Sequence, residues 1–175
     1  MLKKLIPLSL LCLGSLFSFG QDIMHFDIDV TQNMDTFYVK ATPPKKLKKG
    51  NAIFQFPSTA PGTYQTMNIG RLVSDFKALD KRGKALKVEL VDINQYKISK
   101  PKKVKSLSYK VAETFDTKLT ELPIYMMAGS SIENDHTLIN AHTLGGYFKG
   151  MQSNPVGIKI LGKADWTTGS ALKLK

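Results

Sequence analysis

Three histidines, His25, His136 and His142, are the imidazoles with which this chain could hold a metal. A structural or catalytic zinc needs its ligands to converge to about 2 Å from the ion, so their spacing decides. On a continuous strand His136 and His142 would share a face but lie ~20 Å apart, at about 3.3 Å per residue. No His-Glu-x-x-His occurs, so the paired histidines and base glutamate of a helical zinc-protease site are absent. Nucleophilic catalysis fares no better. There is no Gly-x-Ser-x-Gly elbow, and Gly129-Ser130-Ser131 has the wrong spacing. Ser131, Asp135 and His136 are the residue types of a triad, but side chains so close in sequence seldom converge as a triad requires. Asp27 and Asp29 share a strand face and read as a solvated pair. Gly145-Gly146 lies in no strand–loop–helix phosphate motif and reads as a turn or a close backbone approach. The expectation is locally hydrogen-bonded histidines, no catalytic residue and no metal site in this chain.

Aromatic residues near turns are more telling. Tyr64, Tyr147, Phe148 and Trp166 stand at expected loop ends rather than in mid-strand. Such rings close the ends of a sandwich, burying ~150–250 Å² each, or they form an apolar patch that docks onto another domain. Both readings stay open from spacing alone.

The elements that must position these residues are strands. Met24, Phe26, Ile28 and Val30 alternate with His25, Asp27, Asp29 and Thr31, the period of a half-buried strand. Phe37, Val39 and Ala41 continue after a turn at Asn33-Met34-Asp35, and Pro43-Pro44 ends that strand. Ile53–Phe56 runs into the rigid turn Pro57-Ser-Thr-Ala-Pro-Gly-Thr-Tyr64. Phe76–Leu79 and Leu86–Val91 flank a glycine-bearing hairpin connection at Asp80–Lys84. Further strands are expected at 95–98, 107–111, 137–141 and 156–161, with a short helix over 144–149. The stretch 117–135 lacks periodicity and reads as an irregular excursion. Strands at roughly ten-residue spacing predict one all-β domain, an antiparallel sandwich or saddle.

The ends and the charge bound the class. Lys3-Lys4, the apolar run Leu5–Phe19 and Ser18-Phe19-Gly20 form a signal-peptide pattern over 1–20. The apolar run is too short to span ~30 Å of hydrocarbon comfortably. Export to the periplasm or beyond is expected, with residues 21–175 as the β-domain and no membrane span. Cys12, the one cysteine, falls inside that signal. Leu11 precedes it where a lipoprotein needs a small residue, so no lipid anchor and no disulfide are expected. The formal charge is +11, concentrated in Lys45–Lys49 and Lys100–Lys105. With Arg71 and Arg82 the only arginines and no aromatics in the basic runs, nucleic acid is not the expected partner. Both runs adjoin prolines and read as solvated loops.

One set of residues goes further. Pro57-x-x-x-Pro61-Gly62-x-Tyr64, Arg71-x-Val73-x-Asp75-Phe76-x-Ala78-x-Asp80 and Gly83-Lys84 resemble the amino-terminal β-domain of the glycyl-aminopeptidase family (peptidase family sixty-one). Ile139-Asn140-Ala141-His142-x-Leu144-Gly145-Gly146-Tyr147-Phe148-x-Gly150, with Pro155-Val156 and Trp166, resembles that domain's second half. The family consists of zinc metallopeptidases that usually carry a PDZ domain. The resemblance implies a β-saddle placed before a thermolysin-like catalytic domain, which holds the zinc and the base. It also implies a metallopeptidase catalytic domain as partner, with peptide substrate reached through it. Pro61, Gly62, Tyr64, His142, Tyr147 and Phe148 become candidates for docking to that domain or walling its cleft. The alternative is a freestanding exported module that binds peptides or anionic surface polymers.

Overall fold

The computed structural model describes residues 22–44 and 46–173. The signal-peptide expectation over 1–20, Cys12 included, lies outside the described residues.

Among the described residues, twelve strands and one α-helical turn follow in order, with four short 3-10 turns between them: β1 Met24–Asp29, β2 Thr36–Thr42, β3 Ile53–Gln55, β4 Val73–Leu79, β5 Ala85–Leu86, β6 Val88–Asp92, β7 Gln95–Ile98, β8 Ser106–Ala112, β9 Ser131–Ile132, β10 Thr137–Leu138, α1 Ala141–Leu144, β11 Tyr147–Phe148 and β12 Val156–Leu161. A six-stranded sheet runs β12-β1-β2-β8-β4-β5, a four-stranded one runs β11-β3-β7-β6, and β9 and β10 form a small hairpin. The chain is all-β, and its ladders are antiparallel except one. β12 runs parallel to β1, Met24 beside Val156 through Asp29 beside Leu161. This departs from an all-antiparallel expectation.

Alternation explains the layers. On β1 Met24, Phe26 and Ile28 are buried while His25 and Asp27 face water, and on β2 Phe37, Val39 and Ala41 are buried. The two sheets meet through aromatic rings. Phe54 of β3 lies 5.2 Å from Phe56, 5.1 Å from Phe148 and 5.7 Å from Phe76. Phe56 lies edge-on to Tyr109 at 5.1 Å, and Phe76 stacks on Tyr96 at 4.1 Å. Offset and edge-to-face pairs of this kind add roughly 0.5–1.5 kcal/mol beyond burial. The Tyr109 hydroxyl donates to the Leu144 carbonyl at 2.7 Å, and burial pushes its phenol well above the usual range.

Two local expectations need correction. The helix expected over 144–149 is instead the single turn α1, and Tyr147-Phe148 form β11. The Gly145 N–H closes that turn on the Ala141 carbonyl at 2.9 Å. Gly146 then passes so near β3 that a Cβ there would meet the Gln55 carbonyl and the Phe54 ring, both at 2.7 Å. The chain therefore turns extended to pair with β3, the close approach read from the two glycines. The strand expected at 137–141 stops at Leu138, because Asn140 is taken up by side-chain bonds to the loop before β9. The described lysines of the two runs are exposed, as expected, and the runs are pinned by buried residues, Leu47 in the first and Pro101 and Val104 in the second.

Candidate functional site

The turn Ala60-Pro61-Gly62-Thr63 closes with the Thr63 N–H on the Ala60 carbonyl at 3.2 Å. Proline first and glycine second at φ 83° is the pattern of a type II turn. The Thr63 hydroxyl donates to the same carbonyl at 2.7 Å. At the loop's base, the N–H groups of Met67 and Asn68 both donate to the Ser58 carbonyl, at 2.6 and 3.0 Å. Asn68 and Tyr64 adopt positive φ, 49° and 52°, a conformation non-glycine residues hold only when their surroundings impose it. Tyr64 is 95% exposed. It therefore does not close the end of the sandwich but projects into solvent.

A second loop is tied to the first. The Gln65 side chain donates to the Pro123 carbonyl at 2.8 Å and accepts the Tyr125 N–H at 2.8 Å. Arg71 spans the same gap. Its Nε donates to the Met67 carbonyl at 2.9 Å, while its two terminal nitrogens reach the carbonyls of Glu121 and Leu122. A planar guanidinium suits two adjacent carbonyls as a lysine ammonium does not. Replacing Arg71 with alanine should therefore release residues 121–125. Losing bonds to a charged donor costs about 1.5–3 kcal/mol, so amide exchange there should quicken roughly tenfold or more. Arg71→Lys should not restore it. Unchanged exchange in both variants would show that the guanidinium does not hold the loop.

The far end of the second loop is held from below. Asn140 Nδ2 donates to the Gly129 and Met127 carbonyls at 2.5 and 3.3 Å, and His142 Nε2 donates to the Ala128 carbonyl at 2.9 Å. Beneath them Ser130 and Thr143, both fully buried, share a hydroxyl–hydroxyl bond of 2.6 Å. Glu113, also buried, fixes the start of the excursion by accepting the N–H groups of Phe115, Asp116 and Thr117. Ile124 and Ala128 point inward. Leu122, Tyr125, Met126 and Met127 point out, the two methionines 67% and 79% exposed. Tyr64, next to Gln65 in the chain, projects into solvent from the first loop. A rigidly tied apolar surface results.

The six candidate residues divide. Pro61, Gly62 and Tyr64 are exposed on the first loop, and His142 supports the second through Ala128. Tyr147 does neither; with His142 it lines an apolar cleft of about 310 Å³ beneath β1 and β12. Phe148 is corrected as a docking residue, since it is 1% exposed and packs on Phe54. Sequence reasoning missed Leu122, Tyr125, Met126, Met127 and Gln65. The available signal was the apolar run Leu-Pro-Ile-Tyr-Met-Met inside a segment without periodicity.

The residues present do not fit a zinc ion. His25 lies on β1, exposed; His136 pairs with its neighbour Asp135 at 2.7 Å on the surface; His142 is taken by Ala128. Among the described residues no three His, Cys, Asp or Glu side chains converge. The Ser131 hydroxyl is buried with no hydrogen bond among the described residues, so nothing joins it to His136. On the outer face of the six-stranded sheet the register sets Lys159, Asp27, Lys40, Ser108 and Lys77 in one row. There Lys110 meets Asp75 at 2.7 Å and holds its carboxyl below the usual range. These charges answer one another in solvent.

The model of the Peptidase M61 N-terminal domain family matches residues 25–175. The chain belongs to this family. No curated protein sequence matches significantly. Among solved structures, this M61 domain is similar in fold to an aminopeptidase N family protein from Idiomarina loihiensis, with a TM-score of 0.64 at 16% identity. The match covers 79% of this chain and spans 22% of that protein's length. Among the described residues of the M61 domain, no helix is long and apolar enough to cross a membrane.

Proposed function

We propose that this chain is the non-catalytic amino-terminal domain of an exported zinc metallopeptidase of aminopeptidase type. It packs on the catalytic domain and shapes the path by which peptide ends enter. The observation that carries this reading is the exposed apolar surface of Leu122, Tyr125, Met126 and Met127, on a loop tied by Gln65 and Arg71 to the one that exposes Tyr64. Loops left free would lose conformational entropy on docking; loops already bonded into place lose much less. The family membership supports a peptidase catalytic domain as the partner, and the zinc is expected there. Export rests on the signal pattern in residues 1–20. A freestanding module for peptides or surface polymers would be polar over its whole surface, which Met126 and Met127 contradict.

The test is binding in trans. An immobilised catalytic domain of this family should retain the chain. Met126→Ser with Met127→Ser should weaken retention roughly 30-fold, the effect of losing a central anchor worth about 2 kcal/mol. Equal retention of both proteins would remove the patch from the interface. Zinc-dependent peptide cleavage by this chain alone would overturn the non-catalytic assignment.

A further inference from the structure

Among the described residues, β12 leaves one long edge of the six-stranded sheet unpaired, with β1 alone as its neighbour. The Met24 N–H donates to the Pro155 carbonyl at 2.8 Å and the Val30 N–H to the Leu161 carbonyl at 3.1 Å. The odd-numbered positions from 155 to 161 thus turn their backbone groups toward β1. In a parallel ladder the residues between them turn theirs the other way. The N–H and C=O groups of Val156, Ile158 and Ile160 therefore point off the sheet, without partners among the described residues.

The side chains of those three residues stand beside Met24, Phe26 and Ile28 and continue the same apolar inner face. Val156 and Ile160 are largely exposed, and Val156 and Ile158 border the apolar cleft. The other sheet edges are guarded. β5 and β11 are two residues long, and β6 carries Glu89 and Asp92 and loses register between Leu90 and Asp92. Short strands, charges and bulges are how proteins keep edges from pairing. β12 has none of these over six residues apart from Lys159.

We infer that β12 is a self-association edge, on which a second copy of this chain pairs antiparallel about a two-fold axis at Ile158. The register follows from which groups are free. Ile158 exchanges bonds with Ile158 of the second copy, and Val156 with its Ile160. This alignment uses all the outward-facing residues. It also sets Lys159 opposite Gly157 of the second copy, so like charges do not meet. Sliding toward the carboxyl end would set lysine against lysine, which destabilises a strand pair. Sliding the other way forfeits bonds. On the inner face the pairs are branched aliphatics, favourable cross-strand neighbours. The contact is closed and isologous, and merges the two six-stranded sheets into one.

The experiment uses the full chain carrying Cys12→Ser. In sedimentation its average mass should climb from one chain toward two with concentration, while amide exchange at Val156, Ile158 and Ile160 slows. Adding Ile158→Cys should give a disulfide-linked dimer, since a hydrogen-bonded antiparallel pair holds Cα atoms ~5.5 Å apart, within the ~4.4–6.8 Å a disulfide spans. Ile160→Pro removes an N–H that points off the sheet and should abolish both dimer and cross-link. Ile160→Lys, at an exposed position, should do the same if proline disturbs the fold. Met126→Ser with Met127→Ser should leave the dimer intact, which separates this edge from the docking patch. A monomer at every soluble concentration would overturn the inference. So would a dimer that survives both Ile160 variants, or one lost with the methionines.

Discussion

Alanine in place of Phe54 should leave the domain barely folded or unfolded. The ring is fully buried and meets Phe56, Phe76, Tyr109 and Phe148 with centroids 5.1–6.2 Å away. Among the described residues it is the one ring paired both with Phe148 of β11 and with Phe76 and Tyr109 of the six-stranded sheet. Truncating a buried phenylalanine costs ~3–5 kcal/mol, through lost burial and the cavity left behind. Against a total of about 5–15 kcal/mol for a domain, that is a fifth of the stability or more. Urea unfolding should show the midpoint falling with little change in slope. A loss under ~1.5 kcal/mol would mean that the two sheets do not depend on this ring.

Alanine at Gly70 should be of comparable severity for a different reason. A Cβ there would sit 2.0 Å from the Ile93 carbonyl oxygen and 2.7 Å from the Asn94 Cα. Both are backbone atoms, so no side chain can swing aside. The approach is enforced, because the Gly70 N–H donates to Asn94 Oδ1 at 2.9 Å and Asn94 Nδ2 donates to Asn68 Oδ1 at 2.9 Å. The turn between β6 and β7 would have to move away from residues 68–72. Overpacking costs about 1–3 kcal/mol and can exceed it when backbone must shift, and here a buried bond between the elements breaks as well. Thermal unfolding should report a loss of about 3 kcal/mol or more. Near-native stability would show that this turn yields easily. Gly70→Ser should be no better, since its Cβ meets the same atoms.

What the sequence disclosed and what it hid divide by range. The alternation in β1 is local, and it correctly placed Met24, Phe26 and Ile28 inside. The Asp80–Lys84 connection is local too: Asp80 Oδ1 accepts the N–H groups of Arg82 and Lys84, and Gly83 takes φ 76°. The excursion expected over 117–135, of which only Ser131-Ile132 pair as a strand, has no period because its shape comes from elsewhere. Gln65 and Arg71 impose it from 50 to 60 residues away. Nothing within the excursion announces that Tyr125 and Met127 face out while Ile124 and Ala128 face in. Phe148 misled for the same reason, since its burial depends on Gly146 admitting β11 against β3. The parallel partner of β1 was equally hidden, because a strand's pattern shows which face is buried and not which neighbour lies alongside.

That parallel pairing governs when the domain can form. β1 opens the described chain and β12 nearly closes it; the Asn154–Asp22 bond beside them joins residues 132 positions apart. Bringing such distant ends together costs conformational entropy before any contact rewards it. A nascent chain can join β2 to β1 early, but the other edge of β1 waits until Leu161 has been synthesised. Closure is thus a late event, and the half-built sheet passes through synthesis with β1 as its open border.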